Sequence, residues 1–397
     1  MTDRPDPSRR DFIAVSALGL FGITNLARGK ESRIDSELLY VGTYTDEGRT
    51  DGIYLVRFDT RTGALHLVSA LSAGANPSFL AIHPNGGVLY AVNEVEQRDG
   101  KPSGGVTAFA IASDTGALTR INEQASEGGA PCYVSVERRG RALLVANYAG
   151  GSVAVLPIQP NGAIAPASHV EQHRGKGPNA ERQEAAHAHC IMSDRSNRYA
   201  LAADLGMDMV VLYRLDAAKG SLHHVAAGDA RVTAGAGPRH LAFHPTLPTV
   251  YVANELNSTV TTLRLDADRA TLTTLDSEST LPASWSGTSY AADIHCAASG
   301  RVLYVSNRGH NSIAVFSVAP STGALTLVQT ISTGGDWPRN FSLDPTGRWL
   351  LVANQRSGDI VVFARDGDTG RLTASGQRLA IPSPVCLRFR AHTGVTT

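Results

Sequence analysis

The 397-residue sequence has no excess of positive or negative charge, and it has no long apolar segment. Lys plus Arg and Asp plus Glu each number 36, so the formal net charge at pH 7 is zero. A balanced chain offers no electrostatic reason to expect binding to nucleic acid or to an anionic membrane. The apolar run over residues 14–23 is short and interrupted by glycine, which argues against a membrane span.

Cysteine is also scarce, and its spacing excludes the familiar frameworks. Cys132, Cys190, Cys296 and Cys386 lie far apart, at no spacing typical of a zinc site or a small disulfide-rich domain. Each falls in an apolar stretch, where a free thiol packs as a small hydrophobe. We therefore expect four free buried cysteines, with a bridge between neighbouring repeats as the alternative. We expect neither a metal nor a cofactor.

The first 33 residues differ in character from the rest of the chain. Arg9 and Arg10 precede the weakly apolar run, which resembles a twin-arginine export signal. The alternative is a chance Arg-Arg pair in a disordered tail. We expect a leader over residues 1–33, one domain over residues 34–397, and a periplasmic or secreted protein with no membrane span after signal removal.

The sequence does contain a repeat of roughly 50 residues. Residues 237–257, GPRHLAFHPTLPTVYVANELN, are typical of two short strands joined by a proline-containing turn. Gapless alignment finds six such units, closing on Asn93, Asn147, Asp204, Asn254, Asn307 and Asn354. A seventh is divided between residues 39–43 and 384–389. This pattern predicts an all-β, seven-bladed β-propeller with four-stranded antiparallel blades, in which the N- and C-terminal strands share one blade.

Two repeat positions vary while the others agree. The first begins the inner strand and holds Ser78, Cys132, His189, Arg239, Ala292 and Arg339. The second follows the closing residue and holds Glu94, Tyr148, Leu205, Glu255, Arg308 and Gln355. Antiparallel pairing places both positions at one end of the central channel. Because burying unpaired ionisable groups is costly, we predict a functional site there, with a structural ring of salt bridges as the alternative.

Other polar residues are expected near the same rim. His187, Asp293 and His295 lie on inner strands, and alternate residues of a strand share a face. His240, which directly follows Arg239, is expected to point the other way, into the packing between blades. The charged loop over residues 171–184 is expected to form a rim or lid over the channel mouth, or else to be a tolerated insertion.

Several segments resemble the seven-bladed propeller lactonase family, namely HAHCIMSD, GPRHLAFHP with YVANELNSTV, SYAADIHCAASGRVLYVSNR and WPRNFSLDPTGRWLLVANQ. The resemblance covers residues 38–389. The family includes 6-phosphogluconolactonase and, more distantly, the fungal carboxymuconate cyclase. Resemblance to the cyclase branch implies catalytic roles for His189, with His187 as the weaker match for the histidine, and for Arg239, Glu255 and Arg308.

The resemblance and the residue types together suggest hydrolysis of a small anionic lactone of the sugar-acid type. His189 would act as general base, and Glu255 could replace it if burial raised its pKa, or could orient the histidine. Arg239 and Arg308 would hold the oxyanion or an acidic substituent. No nucleophile elbow is visible, which favours direct attack by water. The predicted substrate-binding residues are His187, Asp293, His295, Arg339, Glu94 and Tyr148.

Three alternatives stay open at this point. The Tyr-Val-Ala-Asn strings also resemble the YVTN repeats of surface-layer propellers, which suggests a binding or scaffold protein. A muconate-cyclase-like enzyme would close a lactone instead of opening it. Metal-assisted chemistry would need Glu94, Asp204, Glu255 and Asp293 to converge on a cation, and the excess of arginine argues against that.

Sugar phosphates are found in the cytoplasm, whereas an export signal would direct the protein out of it. The sequence therefore leaves open whether the substrate is phosphorylated. We expect a monomer or weak dimer.

Overall fold

A computed structural model describes residues 36–45 and 48–390 of the chain. The leader predicted over residues 1–33 lies outside the described residues. The described residues form seven antiparallel sheets, and a 3-10 turn at Ala226–Gly228 accompanies them. The innermost strands contact one another in order around a closed ring. The predicted seven-bladed β-propeller is therefore confirmed.

The strands of each blade are given from the channel outwards. Blade 1 contains β29 (Pro384–Phe389), β1 (Ser36–Thr43), β2 (Asp51–Asp59) and β3 (Leu65–Ser72). Blade 2 contains β4 (Leu80–Ile82), β5 (Val88–Asn93), β6 (Gly105–Ile111) and β7 (Leu118–Ala125). Blade 3 contains β8 (Pro131–Val136), β9 (Ala142–Asn147), β10 (Ser152–Pro157) and β11 (His169–Gln172).

Blade 4 contains β12 (Ala188–Ser193), β13 (Tyr199–Asp204), β14 (Met209–Asp216) and β15 (Ser221–His224), and the short β16 (Ala230–Arg231) also pairs with β14. Blade 5 contains β17 (Pro238–Phe243), β18 (Thr249–Asn254), β19 (Thr259–Asp266) and β20 (Thr271–Ser279). Blade 6 contains β21 (Tyr290–Cys296), β22 (Val302–Arg308), β23 (Ser312–Val318) and β24 (Leu325–Ser332). Blade 7 contains β25 (Pro338–Leu343), β26 (Trp349–Asn354), β27 (Asp359–Arg365) and β28 (Leu372–Ala380).

Blade 1 closes the ring as predicted, because β29 from the C-terminus pairs antiparallel with β1 from the N-terminus. The four cysteines are free, as expected, and three of them are buried whereas Cys296 is partly exposed. The described residues contain no helix with the length and apolar character that a membrane crossing requires.

A β-bulge recurs at the start of the inner strand in six blades. In blade 5, Pro238 pairs with Asn254 but His240 pairs with Ala253, so Arg239 is the additional residue. A bulge interrupts the alternation of side chains along a strand. The side chain of His240 consequently faces the channel, where its ring lies 5.7 Å from that of Phe79 in blade 2. The expectation that His240 points into the packing between blades is wrong.

The channel is filled near its middle. The rings of Phe79, Tyr133, His189 and His240 meet there, with centroids between 4.2 and 5.7 Å apart. All four residues are buried. This aromatic cluster separates the two mouths of the channel, and each mouth opens into its own cavity.

One hydrogen bond recurs between adjacent blades and explains a tyrosine of the repeat. The hydroxyl of Tyr251 in the second strand of blade 5 donates to the carbonyl of Gly323, in a turn of blade 6, at 2.8 Å. Equivalent bonds join Tyr40 to Gly116, Tyr90 to Gly162 and Tyr304 to Gly370. Gly323 has a φ of 75°, and a Cβ there would also lie 3.1 Å from the tyrosine oxygen, so glycine suits this turn on both grounds.

We expect Tyr251→Phe to lower the free energy of unfolding by about 1–3 kcal/mol, because the buried carbonyl of Gly323 loses its donor. Tyr54→Phe is the matched control. Tyr54 is also buried, but its hydroxyl has no hydrogen-bond partner among the described residues. Denaturant unfolding of both variants measures the difference. Equal stability of the two variants would contradict a stabilising role for the bond between blades.

Candidate active site

A cavity of about 500 Å³ lies at the mouth where the inner strands begin. The two variable positions of the repeat supply most of its lining, namely Cys132, His189, Arg339, Glu94, Tyr148, Glu255, Arg308 and Gln355. The remaining lining residues are Tyr44, Arg182, Tyr290 and Trp337. Pairing of the first and second strands therefore brings the variable positions together, as the repeat alignment predicts.

A buried ion cluster around Glu255 forms one wall of this cavity. Arg182 Nη2 lies 2.6 Å from Glu255 Oε1, and Arg308 Nη2 lies 2.8 Å from Oε2. Arg239 Nε lies 3.0 Å from the same Oε2 as an ion pair without hydrogen-bond alignment. Arg239 also donates from Nη1 to the carbonyl of Ala292 at 2.8 Å. Three guanidinium groups thus surround one carboxylate.

The arginines of the cluster determine the protonation state of Glu255. Burial by itself would raise the pKa of this carboxyl group, but Arg308, Arg239 and Arg182 outweigh burial and lower its pKa well below the ordinary value. Glu255 is therefore ionised at neutral pH, and it is engaged with arginines. The suggestion that burial raises the pKa of Glu255 and makes it a general base is wrong.

The three arginines respond differently, because burial lowers the pKa of Arg239 and Arg308, whereas for Arg182 the contacts with Glu255 and Tyr148 outweigh burial and raise the pKa. Burial, with Arg308 and Arg339 nearby, lowers the pKa of Arg239 to about 9. Burial also lowers the pKa of Arg308. Three arginines and two carboxylates line the cavity, and Arg239 lies directly behind it in a small adjoining cavity. This end of the channel therefore holds more positive than negative charge, which suits an anionic ligand or an oxyanion.

His189 is the imidazole that lines the cavity. Its Nδ1 lies 3.6 Å from the sulfur of Cys132, and the described residues supply no hydrogen-bond partner to its Nε2. Burial, followed by the nearby charges of Arg239, His240 and Arg339, lowers the pKa of His189 well below its usual value. The ring is therefore neutral at physiological pH, with one nitrogen available to a bound molecule.

A second polar chain crosses the cavity from Glu94 to Arg339. The hydroxyl of Tyr44 donates to Glu94 Oε1 at 3.0 Å, and Arg339 Nη2 donates to the Tyr44 hydroxyl oxygen at 2.8 Å. Ser78 Oγ donates to the other oxygen of Glu94. Tyr44 is not among the site residues predicted from the sequence. The signal was present, because Tyr44 follows Thr43 in the divided seventh repeat and so occupies its second variable position.

Arg182 was also missed, and it comes from the loop over residues 171–184. The loop is attached to blade 4, because Gln183 Nε2 donates to Leu205 O at 2.8 Å and to Asp208 Oδ1 at 2.7 Å. Arg182 Nη2 also lies 3.4 Å from the hydroxyl of Tyr148. The loop therefore reaches the cavity, which agrees with the rim interpretation.

His187 supports the cavity from behind. Its ring stacks on that of Tyr148 with centroids 4.6 Å apart, and its Nδ1 lies 3.0 Å from the Tyr148 carbonyl oxygen. Its Nε2 lies 3.0 Å from Glu184 Oε1. His187 thus contacts a lining residue, and it does not itself line the cavity.

Asp293 and His295 lie elsewhere. Both line the cavity of about 590 Å³ at the opposite mouth, so their placement near the predicted rim is wrong. A strand advances by about 3.3 Å per residue. Asp293 and His295 come after the first residues of the inner strand, so they lie farther along the channel, towards the opposite mouth. Asp293 Oδ1 lies 2.8 Å from His240 Nδ1, and its Oδ2 lies 2.9 Å from His295 Nε2.

The carboxylates considered for a cation do not converge. Asp204 Oδ2 lies 2.6 Å from His173 Nδ1, and Asp293 binds histidines of the channel. Glu255 is enclosed by arginines. Within residues 36–45 and 48–390, no group of three or more His, Cys, Asp or Glu side chains is arranged to hold a metal ion.

Residues 38–389 match the family model described as lactonase, 7-bladed beta-propeller. The chain belongs to this lactonase family. It is 39% identical to the 6-phosphogluconolactonase of Bacillus subtilis strain 168 over 350 residues, covering 88% of this chain and 97% of the relative. It is 35% identical to the 6-phosphogluconolactonase of Formosa agariphila, covering 86% of this chain and 96% of the relative.

A solved structure agrees with this assignment. The periplasmic gluconolactonase of Pseudomonas aeruginosa superposes with a TM-score of 0.83 at 35% identity, covering 90% of this chain and 99% of that one. Family membership confirms the prediction of an enzyme of the lactonase class, and it disfavours the scaffold alternative.

In this lactonase, we expect Glu255→Gln to lower the free energy of unfolding by about 3–5 kcal/mol at neutral pH, because it leaves buried arginines without a counter-charge. The folded-state pKa of Glu255 is depressed, so its ionised form stabilises the protein above the ordinary value of 4.5. That contribution is lost as the pH falls through the lower folded-state pKa.

The difference in stability between wild type and Glu255→Gln should therefore be fully present at about pH 6, and it should shrink as the pH falls below 4.5. Denaturant unfolding at several pH values measures it. Asp268→Asn, at a fully exposed side chain, is the control. A difference that grows in acid would contradict a depressed pKa.

Proposed function

We propose that this lactonase hydrolyses the lactone of a sugar acid in the cavity that His189, Arg308 and Arg339 line. The observation that carries the proposal is a neutral imidazole with an available nitrogen beside an excess of guanidinium groups. The names of the relatives, 6-phosphogluconolactonase and gluconolactonase, support this substrate class.

The reaction consumes one water molecule. Water loses a proton as its oxygen bonds to the lactone carbonyl carbon, and a tetrahedral oxyanion forms. The ring C–O bond then breaks as the oxyanion returns to a carbonyl, and the ring oxygen takes up a proton to become a hydroxyl. The product is the open hydroxy acid, which releases one proton to solvent at neutral pH because the pKa of a carboxylic acid is far below 7.

His189 accepts the proton of the attacking water at Nε2 and returns it to the leaving ring oxygen. The guanidinium groups of Arg308 and Arg339 stabilise the oxyanion and then the product carboxylate. Arg239 is buried behind the cavity, and it positions Glu255 and through it Arg308. The acidity of the product and the positive charge of the cavity are complementary.

We further propose that the enzyme acts outside the cytoplasm. The Arg9-Arg10 leader and the periplasmic gluconolactonase of similar fold support this location. An exported enzyme would meet sugar lactones without phosphate. A panel of aldonolactones, assayed with and without a phosphate group by proton release, tests which form has the higher kcat/KM.

We expect His189→Gln to lower kcat/KM for the preferred lactone about 100-fold to 10,000-fold, because it removes the general base. His66→Gln, at an exposed histidine on the outer strand of blade 1, is the control and should retain wild-type activity. Proton release after subtraction of spontaneous hydrolysis is the measurement. Unchanged turnover by His189→Gln would remove this residue from the mechanism.

The depressed pKa of His189 also predicts how kcat/KM depends on pH. A base must be neutral to accept a proton, and a lowered pKa keeps His189 neutral well below its ordinary value of 6.5. The kcat/KM of the free enzyme should therefore show no loss between pH 7.5 and 6, a window that brackets an unperturbed histidine at about 6.5. An acidic limb near 6.5 that disappears in His189→Gln would contradict the depressed pKa.

A further inference from the structure

The structure reveals a third variable position of the repeat, beyond the two that the alignment predicts. In six blades its carbonyl oxygen accepts a hydrogen bond from the backbone N–H of the second variable position, as Trp337 O does from Gln355 at 3.0 Å. In blade 6 the two positions pair directly, as Tyr290 with Arg308. The third position therefore lies at the same mouth of the channel as the other two. It holds Asn76, Ala130, His187, Gly237, Tyr290, Trp337 and Ser383.

The backbone at this third position favours a small residue in most blades. Five of the seven residues precede a proline, and these five have φ values between 44° and 67°. Such a left-handed φ suits glycine or asparagine and is a rare outlier for a bulky residue. Trp337, with a φ of 66°, is the bulky residue among the five. The turn is therefore a common feature of the repeat, whereas the indole in blade 7 is an exception that the turn does not explain.

The indole of Trp337 lines the cavity of about 500 Å³, which we call the main cavity. The side chain is partly exposed. Arg356, an exposed residue that does not line the main cavity, has its Cζ atom 3.5 Å from the centroid of the indole. The indole therefore forms part of the cavity wall, with the guanidinium of Arg356 on its outer side.

Tyr290 continues this wall. Its ring centroid lies 6.0 Å from that of Trp337, with an angle of 60° between the planes, and it also lines the main cavity. The Cζ atom of Arg308 lies 5.5 Å from the Trp337 centroid and 5.9 Å from the Tyr290 centroid. We call the two rings the aromatic wall. A lactone whose carbonyl oxygen contacts Arg308 has its ring beside this wall, because the carbonyl carbon belongs to the ring.

The aromatic wall complements one part of a sugar lactone. Such a lactone carries its hydroxyl groups mainly at the edge of the ring, and C–H bonds point from its faces. The face of an aromatic ring is apolar and carries a negative partial charge, so it attracts C–H hydrogens as well as cations. The charged groups of the main cavity cannot satisfy an apolar face, whereas an indole can.

We propose that Trp337 is a substrate-binding residue, and that its indole packs against the C–H face of the lactone ring while Arg308 holds the carbonyl oxygen. This inference rests on the proposed function. It explains why blade 7 places a large aromatic side chain where other left-handed turns of the repeat have small residues.

Trp337→Asn tests the proposal, because Asn76 occupies the same position of blade 2 with a φ of 46° and the turn is therefore retained. The variant should raise KM for gluconolactone about 5-fold to 50-fold through loss of the stacking surface. Its kcat should stay within about twofold of wild type, because packing against the ring is made equally in the ground state and the transition state. Trp337→Phe keeps an aromatic face and should restore most of the affinity.

Arg356→Met is the matched control, since it removes the guanidinium from the outer side of the indole and leaves the cavity wall in place. It should retain the KM and kcat of wild type. An unchanged KM in Trp337→Asn would overturn the proposal. A fall in kcat without a rise in KM would also overturn it, because the indole would then act only through Arg308.

Intrinsic fluorescence tests the contact without turnover. The chain has three tryptophans, and Trp337 lines the main cavity whereas Trp285 and Trp349 do not. Gluconate, the product acid, should change the fluorescence of wild type and of Trp285→Phe in a saturable way. The change should be lost in Trp337→Phe, although calorimetry should show that this variant still binds gluconate.

A fluorescence change that survives Trp337→Phe would overturn the proposal, as would its absence in wild type that binds gluconate by calorimetry. Failure to hydrolyse any aldonolactone, with the signal from Trp337 intact, would instead overturn the proposed reaction and leave the binding role of Trp337 assigned.

Discussion

The buried carboxylate of Glu255 is the group on which the candidate site depends. It binds Arg239 from the inner strand of blade 5, Arg308 from the end of the second strand of blade 6, and Arg182 from the loop before blade 4. Removing one partner from such a cluster leaves a buried charge uncompensated, whereas the complete cluster holds each guanidinium in a defined place. The same interaction therefore joins three parts of the chain and presents Arg308 and Arg182 to the cavity.

The repeat positions that are uniform join adjacent blades, and the positions that vary face the channel. The tyrosine of the second strand recurs because its hydroxyl bonds the glycine turn of the next blade, as between Tyr251 and Gly323. The start of the inner strand varies because it faces the channel, where packing between blades imposes no common side chain. A ring built from such repeats can change its chemistry at one mouth without altering the bonds that join its blades.

The bulge of the inner strand divides the channel by depth. The additional residue turns toward the mouth, as Arg239 does, and the next residue reaches the middle, as His240 does. Its ring joins Phe79 and Tyr133 in the cluster that separates the two mouths. Asp293 and His295 lie beyond that cluster, where they cannot act with His189 on one small substrate.

The sequence by itself determined the seven blades, the shared terminal blade and the mouth at which His189, Glu255 and Arg308 meet. These follow from strand periodicity and antiparallel pairing, which are local rules repeated along the chain. The tertiary structure decided the direction of His240, because a bulge suspends the alternation of side chains. It also decided the charge of Glu255, because the three arginines that lower its pKa include Arg182, which lies 73 residues away in the chain. The repeat pattern of the sequence does not show which distant residues become neighbours when the ring closes.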